Sequence, residues 1–583
     1  MYFLLFSPLP QSLRSDVLAA SRNCANTTAD NFRVAPLNPR MPLETITPPK
    51  SGNWARLLIV FVVAFDVAAF WQWMGGAYQS EFGGHPDEGA NYVAGLVVQD
   101  RMVDAVKNRG IGPDASEAAV AQKLGTNPLA DDPPLFHGYR PPGLPLIQAA
   151  WITVFGTSRL SVLLLVAALA AGVATLLYGT VREEFGEWPA IATALLWLCS
   201  ALVRESYGML MPEMLGTLVM SGAALAWGRF LERGRGGDAL LFALLACVAI
   251  VTEGAGFALA LMAGISLVLT RHWRRLAKWE LWIFSIIPVL TMIYVRRIDF
   301  ENFNFSAHSL SHAAVFYAEK LAFAASLAVA VFAVIGVCSR CFSRGERQGR
   351  WMAIVSLVIS IFACHCVRSH SLEARHIIAS APSLIMLAMA GVKSISVLTS
   401  AHVADARERR RRDSLWILLL LLLALPFEVM KMRRKEFDGF GAIVRTLIDE
   451  APRDARILVS SDATGEGMFI SELAMNDRRT GFTIETASMS LTEHGDRTGD
   501  PENLRERFAD DQDLLGYLTG GRIHYIVLDD SPPMKERAGH HDQIRRVIEN
   551  NVRNFWLLHS NPITRDGEIQ FRPIQIFRVT GGN

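Results

Sequence analysis

Charge is what this sequence has least of. Of its 583 residues 19% are Asp, Glu, Lys or Arg and 51% are hydrophobic, where a water-soluble chain carries about 25% charged residues. The shortage excludes an ordinary soluble globule and leaves an integral membrane protein, in keeping with a mean hydropathy of +0.24. Cysteine is scarce as well: seven in so long a chain do not make a disulfide scaffold. Cys338-Ser339-Arg340-Cys341 and Cys364-His365-Cys366 lack the second ligand pair that zinc needs, so they read as small apolar residues near helix ends and no metal site is assigned to them. No internal repeat is visible, and repeats are common in transporters. The formal net charge of +1 argues neither for nor against nucleic acid, and no nucleic-acid partner is expected.

Long apolar runs are what the chain has instead. From Ala55 they recur near 55–75, 158–180, 188–203, 212–230, 238–252, 255–270, 279–295, 314–337, 351–368, 377–397 and 415–430, giving about eleven expected transmembrane helices over residues 55–430. The fifth and sixth are short and joined by Thr252-Glu253-Gly254-Ala255-Gly256, so a tight hairpin is open to them. Residues 1–54 are rich in Ser, Pro, Asn and Arg and are expected to be a disordered cytoplasmic segment. MYFLLFSPLP is a poor signal peptide, being short and without a basic flank before it, and Met41 would make a natural alternative start.

Basic links set the expected orientation. With the N-terminus in the cytoplasm, Arg182, Arg233 and Arg235, RHWRRLAK (271–278), SRCFSRGERQGR (339–350) and ARERRRR (406–412) all fall inside. KMRRKEF (431–437) is the exception. The large loop 76–157, the link after the third span and the tail 431–583 are then extracytoplasmic. In that tail RILVSS (456–461), TGFTIETA (480–487), HYIVLDD (524–530) and FWLLHS (555–560) alternate with helical stretches, as in a soluble α/β sandwich. The turn Ser461–Gly467 lacks the third glycine of a dinucleotide fingerprint, and Glu466 would repel phosphate; it reads as a plain strand-to-helix turn.

Four outward-facing clusters could carry chemistry. In GHPDEGANY (84–92), Asp87 and Glu88 follow a proline, which is also how an ordinary helix begins. Helical spacing sets Asp87 beside Asn91 and Glu88 beside Tyr92, while Ala90, Val93, Ala94 and Val97 can lie against the membrane. In FHGYRPPGLP (136–145) the two prolines mark a bend before an apolar stretch, 143–155, too short to span; it fits a surface or re-entrant segment. Tyr139 and Arg140 there could grip a lipid phosphate, or simply snorkel at the interface. RESYGMLMPEM (204–214) places Glu213 at the start of the fourth span, where an acid needs a wet cavity or a partner. RSHSLEARHIIASAP (368–382) places Arg375 and His376 before an apolar stretch interrupted by Pro382. An ordinary charged span end is the competing account of both. His137, Arg204 and Glu205 lie in the same stretches and are supporting candidates with Asn91 and Tyr92.

Taken in order, an outer Asp-Glu, an Arg-Pro-Pro, a Pro-Glu opening the fourth span and a late Arg resemble the GT-C glycosyltransferases, specifically bacterial relatives of protein O-mannosyltransferases and of the lipid A aminoarabinose transferase. The resemblance covers roughly residues 55–400. It implies a mostly α polytopic fold with a C-terminal soluble α/β domain. It implies also an inverting transfer from a polyprenyl-phosphate sugar to a lipid, glycan or protein acceptor outside the inner membrane. Asp87 then matches the general base with Glu88 its usual neighbour, and Glu213 the second acid. Arg140 matches the donor-phosphate contact and Arg375 the late Arg, and Tyr139, Arg375 and His376 are expected to bind the donor phosphate together with Arg140. Glu253 stands where relatives often have Lys, and Glu213 where close relatives often have Asp. No cofactor is certain; Asp87, Glu88 and Glu213 could together hold a divalent cation.

The chemistry fits those roles. Breaking the C1–O bond of a lipid-phosphate sugar builds positive charge on the ring and negative charge on the leaving phosphate, which a carboxylate and an arginine would stabilise. A base on the far face would take the acceptor's proton and invert the anomeric centre. The alternative is a multi-pass transporter, favoured by Asp66 midway along the first span. A non-catalytic scaffold would leave the four clusters without a reason.

Overall fold

The computed structural model describes residues 53–107, 142–295, 306–324, 326–342, 348–367, 372–400, 402–403, 405–431, 434–476, 481–494, 504–532 and 539–580. The expected N-terminal segment 1–54 lies almost wholly outside them. The apolar runs form α1 (Asn53–Met74), α2 (Pro86–Lys107), α3 (Gly143–Phe155), α4 (Arg159–Phe185), α5 (Glu187–Cys199), α6 (Ala201–Tyr207), α7 (Glu213–Arg233) and α8 (Gly236–Thr252). There follow α9 (Ala258–Thr270), α10 (Trp279–Val295), α11 (Ala307–Ala324), α12 (Ser326–Phe342), α13 (Gln348–Val367), α14 (Ala381–Thr399) and α15 (Ala406–Met430).

Every apolar run expected to span falls in helical segments, but length separates them. Among the described residues six helices are long and apolar enough to cross a membrane: Trp54–Met74, Arg159–Phe185, Glu213–Arg233, Gln348–Val367, Ala374–Thr399 and Arg407–Met430. The run expected as one span at 314–337 is instead a pair, Ala307–Leu321 and Ser326–Arg340, bent by 105°. Helices α3, α5, α8, α9 and α10 are apolar but shorter, at 13 to 17 residues. At about 1.5 Å per residue such helices fall short of a hydrocarbon core of roughly 30 Å. Between helices, backbones approach closely at small residues: a Cβ on Gly336 would overlap the Leu387 carbonyl, and one on Gly391 the Phe332 carbonyl. This is the packing that membrane helices use where lipid offers no hydrophobic drive to associate.

The links sort to two ends of the bundle. At one, Arg350 pairs with Glu183 and Glu232 at 3.1 Å each, Arg340 with Glu184 at 2.7 Å, and Arg275 donates to the carbonyls of Leu231 and Glu232. These are basic links expected to share a side. The other end carries the loops after α1 and α6 and the C-terminal α/β region.

That region holds α16 (Phe440–Glu450), β1 (Arg456–Ser460), α17 (Ala463–Asn476), β2 (Thr483–Thr486), α18 (Ala487–Ser490), β3 (Thr492–His494), β4 (Leu504–Glu506) and α19 (Asp511–Thr519). It continues with β5 (Tyr525–Asp529), α20 (Gly539–Asn550), β6 (Phe555–Asn561), β7 (Thr564–Arg565), β8 (Glu568–Ile569) and β9 (Ile574–Val579). The main sheet has the order β2-β1-β5-β9-β6, parallel across β2, β1 and β5 and antiparallel beyond. Strand alternation sends Ile457 and Val459 to a core with Phe440 and Phe469, and Leu458 to a second core with Leu514 and Ile544. Helices therefore cover both faces. The turn Ser461–Gly467 is filled by protein side chains: Asp462 accepts from the Gly465 N–H at 2.9 Å, and Arg565 binds Asp462 and Asp529.

The α/β region is seated directly on the loop between α1 and α2. Lys435 N–H donates to the Gly75 carbonyl at 2.7 Å and Glu81 N–H to the Phe437 carbonyl at 2.7 Å. The Glu81 carboxylate accepts from the N–H groups of Gly439, Phe440 and Gly441, the open first turn of α16. Burial, and then Glu472 nearby, pushes the Glu81 carboxyl up to about 7. Arg159 reaches Glu472 from the start of α4.

Candidate active site

Helix α2 begins as its sequence dictates, with Pro86 first and Asp87 and Glu88 in the opening turn. It was expected to rest on lipid. It does not: Val93, Ala94 and Val97 are all buried. On one side Gln148 of α3 donates to the Tyr92 carbonyl at 3.0 Å, and its side chain fills the space beside Gly95. On the other, Gly89 meets the Gly467 carbonyl of α17. Protein covers the face that was to meet the membrane.

The two acids point to different places. Asp87 is half-buried, with 41% of its side chain exposed. Its carboxylate lies 3.5 Å from Arg375 Nη2 and 3.6 Å from His85 Nδ1, and its N–H donates to that Nδ1 at 3.0 Å. Arg375 also stands 3.3 Å from Glu213, and its Nε is paired with Glu373. His85 Nε2 closes the ring at 3.5 Å from Glu373. Three chain segments thus converge on one guanidinium, which gathers Asp87, Glu213 and Arg375. His85, with Arg375, holds the Glu373 carboxyl down at about 2. Glu213 is 3% exposed, and its Oε2 has no hydrogen-bond partner among the described residues.

Glu88 turns the other way. Fully buried, it takes Lys435 Nζ at 2.6 and 2.8 Å, the Gly84 N–H at 3.0 Å and the Leu210 N–H at 3.1 Å. Burial outweighs the attraction of Glu88 and leaves Lys435 below the usual lysine range. The expected partnership of Glu88 with Asp87 is one of adjacency in the chain; their side chains serve different contacts.

The remaining candidates separate. Asn91 donates to the Leu210 carbonyl at 3.1 Å and so holds the loop before Glu213. Tyr92 hydroxyl donates to the Thr157 carbonyl at 2.7 Å, its ring packed on Phe82. Arg204 is buried over the Trp71 ring and donates to the Glu428 carbonyl, away from the acids, and Glu205 is exposed. His376 stacks on His365 with centroids 5.1 Å apart, its Nδ1 3.4 Å from the Tyr317 hydroxyl. His137, Tyr139 and Arg140 lie outside the described residues. The chain resumes at Pro142, and Gly143 packs on Thr252, next to Glu253. Glu253 itself lies against Gly216, one turn from Glu213 on α7.

Asp87, Glu88 and Glu213 do not converge as a three-carboxylate cage, because Arg375 lies between two of them and Lys435 takes the third. Among the described residues no three His, Cys, Asp or Glu side chains gather as metal ligands. Sequence reasoning missed His85, Glu373 and Lys435. His85 adjoins the Pro-Asp-Glu, Glu373 lies in the late Arg stretch, and Lys435 sits in the basic link that broke the orientation rule.

Residues 139–296 match the family model described as dolichyl-phosphate-mannose-protein mannosyltransferase. The same fold is found in ArnT from Cupriavidus metallidurans bound to undecaprenyl phosphate, with a TM-score of 0.55, covering 92% of this chain and 100% of that one. The chain shares its fold with that ArnT, and its residues 139–296 resemble the mannosyltransferase family. Identity to that ArnT is 14%. The apo state of the same ArnT matches with a TM-score of 0.55 at 13% identity, over 91% of this chain and 99% of that one. An Archaeoglobus fulgidus oligosaccharyltransferase tethered to an acceptor peptide matches at 0.51 and 12% identity, over 82% of this chain and 69% of that one. At such identities the structural likeness is one of fold. No curated protein matches the chain.

Proposed function

We propose that the protein is a GT-C glycosyltransferase that moves a sugar from a polyprenyl-phosphate donor to an acceptor on the outer, periplasmic face of the inner membrane, inverting the anomeric carbon. The observation that carries the reading is the half-exposed Asp87 held between Arg375 and His85, with buried Glu213 on the same guanidinium. Asp87 takes the proton of the acceptor hydroxyl as its oxygen bonds to C1. The C1–O bond to phosphate breaks on the opposite face, and polyprenyl phosphate leaves with the electron pair. Arg375, 3.5 Å away, holds Asp87 aimed. Glu213 Oε2, without a hydrogen-bond partner among the described residues, accepts a hydrogen bond from a hydroxyl of the sugar. Charge on the leaving phosphate falls to Arg140 with Tyr139, which precede the Pro-Pro bend. The undecaprenyl phosphate in the ArnT structure supports a lipid-phosphate carrier here.

The transporter reading loses its main support. Asp66 is exposed on α1 and does not face the bundle interior, where an ion path would run. A transfer assay on purified protein tests the proposal, with polyprenyl-phosphate mannose, glucose, galactose and aminoarabinose offered separately with envelope acceptors. Transfer from one donor with inverted product configuration is expected. Retention of configuration, or transfer that persists in folded Asp87→Asn protein, would overturn it.

A further inference from the structure

We infer that Lys435, in the strap between the last membrane helix and the α/β region, is a positioning residue for the transfer: through Glu88 it fixes the two loops that present Asp87 and Glu213. The inference rests on the functional reading above and extends it to a part of the chain that reading leaves idle.

Glu88 is the hub. One of its oxygens accepts from Gly84 N–H, in the loop entering α2, and the other from Leu210 N–H, in the loop entering α7. Three residues beyond each of those amides stand Asp87 and Glu213. A buried carboxylate that holds two loops in this way needs a countercharge, and Lys435 Nζ supplies it to both oxygens at 2.6 and 2.8 Å. The lysine cannot wander, because its own N–H is bonded to the Gly75 carbonyl. Two residues on, Phe437 accepts from Glu81 N–H and donates to the Ser80 hydroxyl at 3.0 Å. The strap is therefore stitched to the loop between α1 and α2 at Lys435 and Phe437.

Lys435 touches neither Asp87 nor Glu213 in the contacts described. Its effect passes through Glu88, so its loss should loosen the geometry of the acids and leave the donor's lipid and phosphate contacts in place. A displacement of about 1 Å in a reacting group lowers a rate on the order of a hundredfold. Removing the lysine alone also strands Glu88 as a buried, unpaired charge. The informative variant is therefore the double change Glu88→Gln with Lys435→Met, which leaves no charge behind; Lys435→Arg is its conservative counterpart.

The test joins two readouts on full-length protein in detergent. The first is hydrogen–deuterium exchange of peptides covering 82–90 and 207–214. In Lys435→Met and in the double variant both peptides should exchange faster than in wild type, with peptides of the opposite bundle end, 180–187 and 228–235, unchanged. The second is steady-state transfer: kcat should fall roughly a hundredfold with the donor KM within about threefold, and Lys435→Arg should recover kcat to within about tenfold of wild type. Unchanged exchange at both peptides would overturn the inference. So would a kcat equal to wild type in either variant, or a donor KM that rises as far as kcat falls. Wild-type protein inactive with every donor would count against the proposed reaction, and the exchange data would still decide whether Lys435 fixes the two loops.

Discussion

The Arg375 guanidinium lies 3.3 Å from Glu213, a carboxylate on another helix with 3% of its surface exposed. An acid so placed at the end of a span requires a partner, and the partner it has also reaches Asp87 at 3.5 Å. The pair binds the start of α7 to the turn preceding α14 and makes the position of Asp87 depend on both.

Asp87→Asn keeps the shape of the side chain and removes its basicity. Turnover should fall roughly 10²–10⁴-fold, the usual share of general-base catalysis. The thermal midpoint should change little, because Asp87 is 41% exposed and its ion pair is a long one. Kinetics beside a melting curve check this. A collapse of both would mean that the acid is structural.

Arg375→Ala should act differently. It leaves Glu213 buried and without its countercharge, near Asp87, at a penalty of about 3–5 kcal/mol. The unpaired buried Glu213 alone should reduce the yield of folded protein in detergent before any kinetic effect can be read. Arg375→Lys restores one charge but not three-way bridging; the protein should fold, with transfer reduced roughly ten- to a hundredfold. Fluorescence-detected size exclusion with the transfer assay separates these outcomes.

Much of this was legible in the sequence, and the limits are physical. Span positions follow from runs of apolar residues, and four strands of the main sheet from their local pattern. Strand β9 (Ile574–Val579) was not legible, because it lies between β5 and β6 by pairings that no local period encodes. The run 314–337 has one continuous hydropathy and two helices, since composition does not register a bend. The convergence of Asp87, Glu213 and Arg375 was legible as a likeness of order. That Glu88 answers to Lys435, 347 residues away, was not. Such a pair shows in the sequence only as a basic link on the side where basic links are few.

Two buried acids of the extramembrane parts contribute to the pH dependence of stability. Burial raises Glu466 to about 8 although Ser488 donates to it through both N–H and hydroxyl, and Glu81 rises to about 7. Both bind protons more tightly folded than unfolded, where a glutamate titrates near ~4.3. Their contribution is therefore fully present below about pH 4.3, and it is lost as pH rises through 7 and 8. Glu373, held at about 2, works in the opposite sense and loses its contribution as pH falls from about 4.3 toward 2. The melting midpoint should accordingly drop between pH 5 and 9, and Glu466→Gln should flatten the upper part of that fall, raising stability at pH 9 by on the order of a few kcal/mol. A midpoint that rises over this range in wild type, or a slope identical in the variant, would contradict the assignment.

Gly89 offers a test that touches no charged group. A Cβ there would overlap the Gly467 carbonyl, so α2 and α17 are packed at backbone distance. Gly89→Ala would favour the helix by propensity, up to about 1 kcal/mol, and must instead push α17 away. Overpacking of this kind destabilises by about 1–3 kcal/mol. Since Asp87 and Glu88 lie within one turn of Gly89, the shift should also lower transfer, and a second change cannot relieve it because Gly467 already has no side chain. Gly95 on the same helix provides the contrast: a Cβ there meets the side chain of Gln148 rather than backbone. Gly95→Ala combined with Gln148→Ala should therefore recover activity that Gly95→Ala loses. A Gly89→Ala protein with wild-type melting and wild-type turnover would show that the α/β region is not held against the helix that carries Asp87.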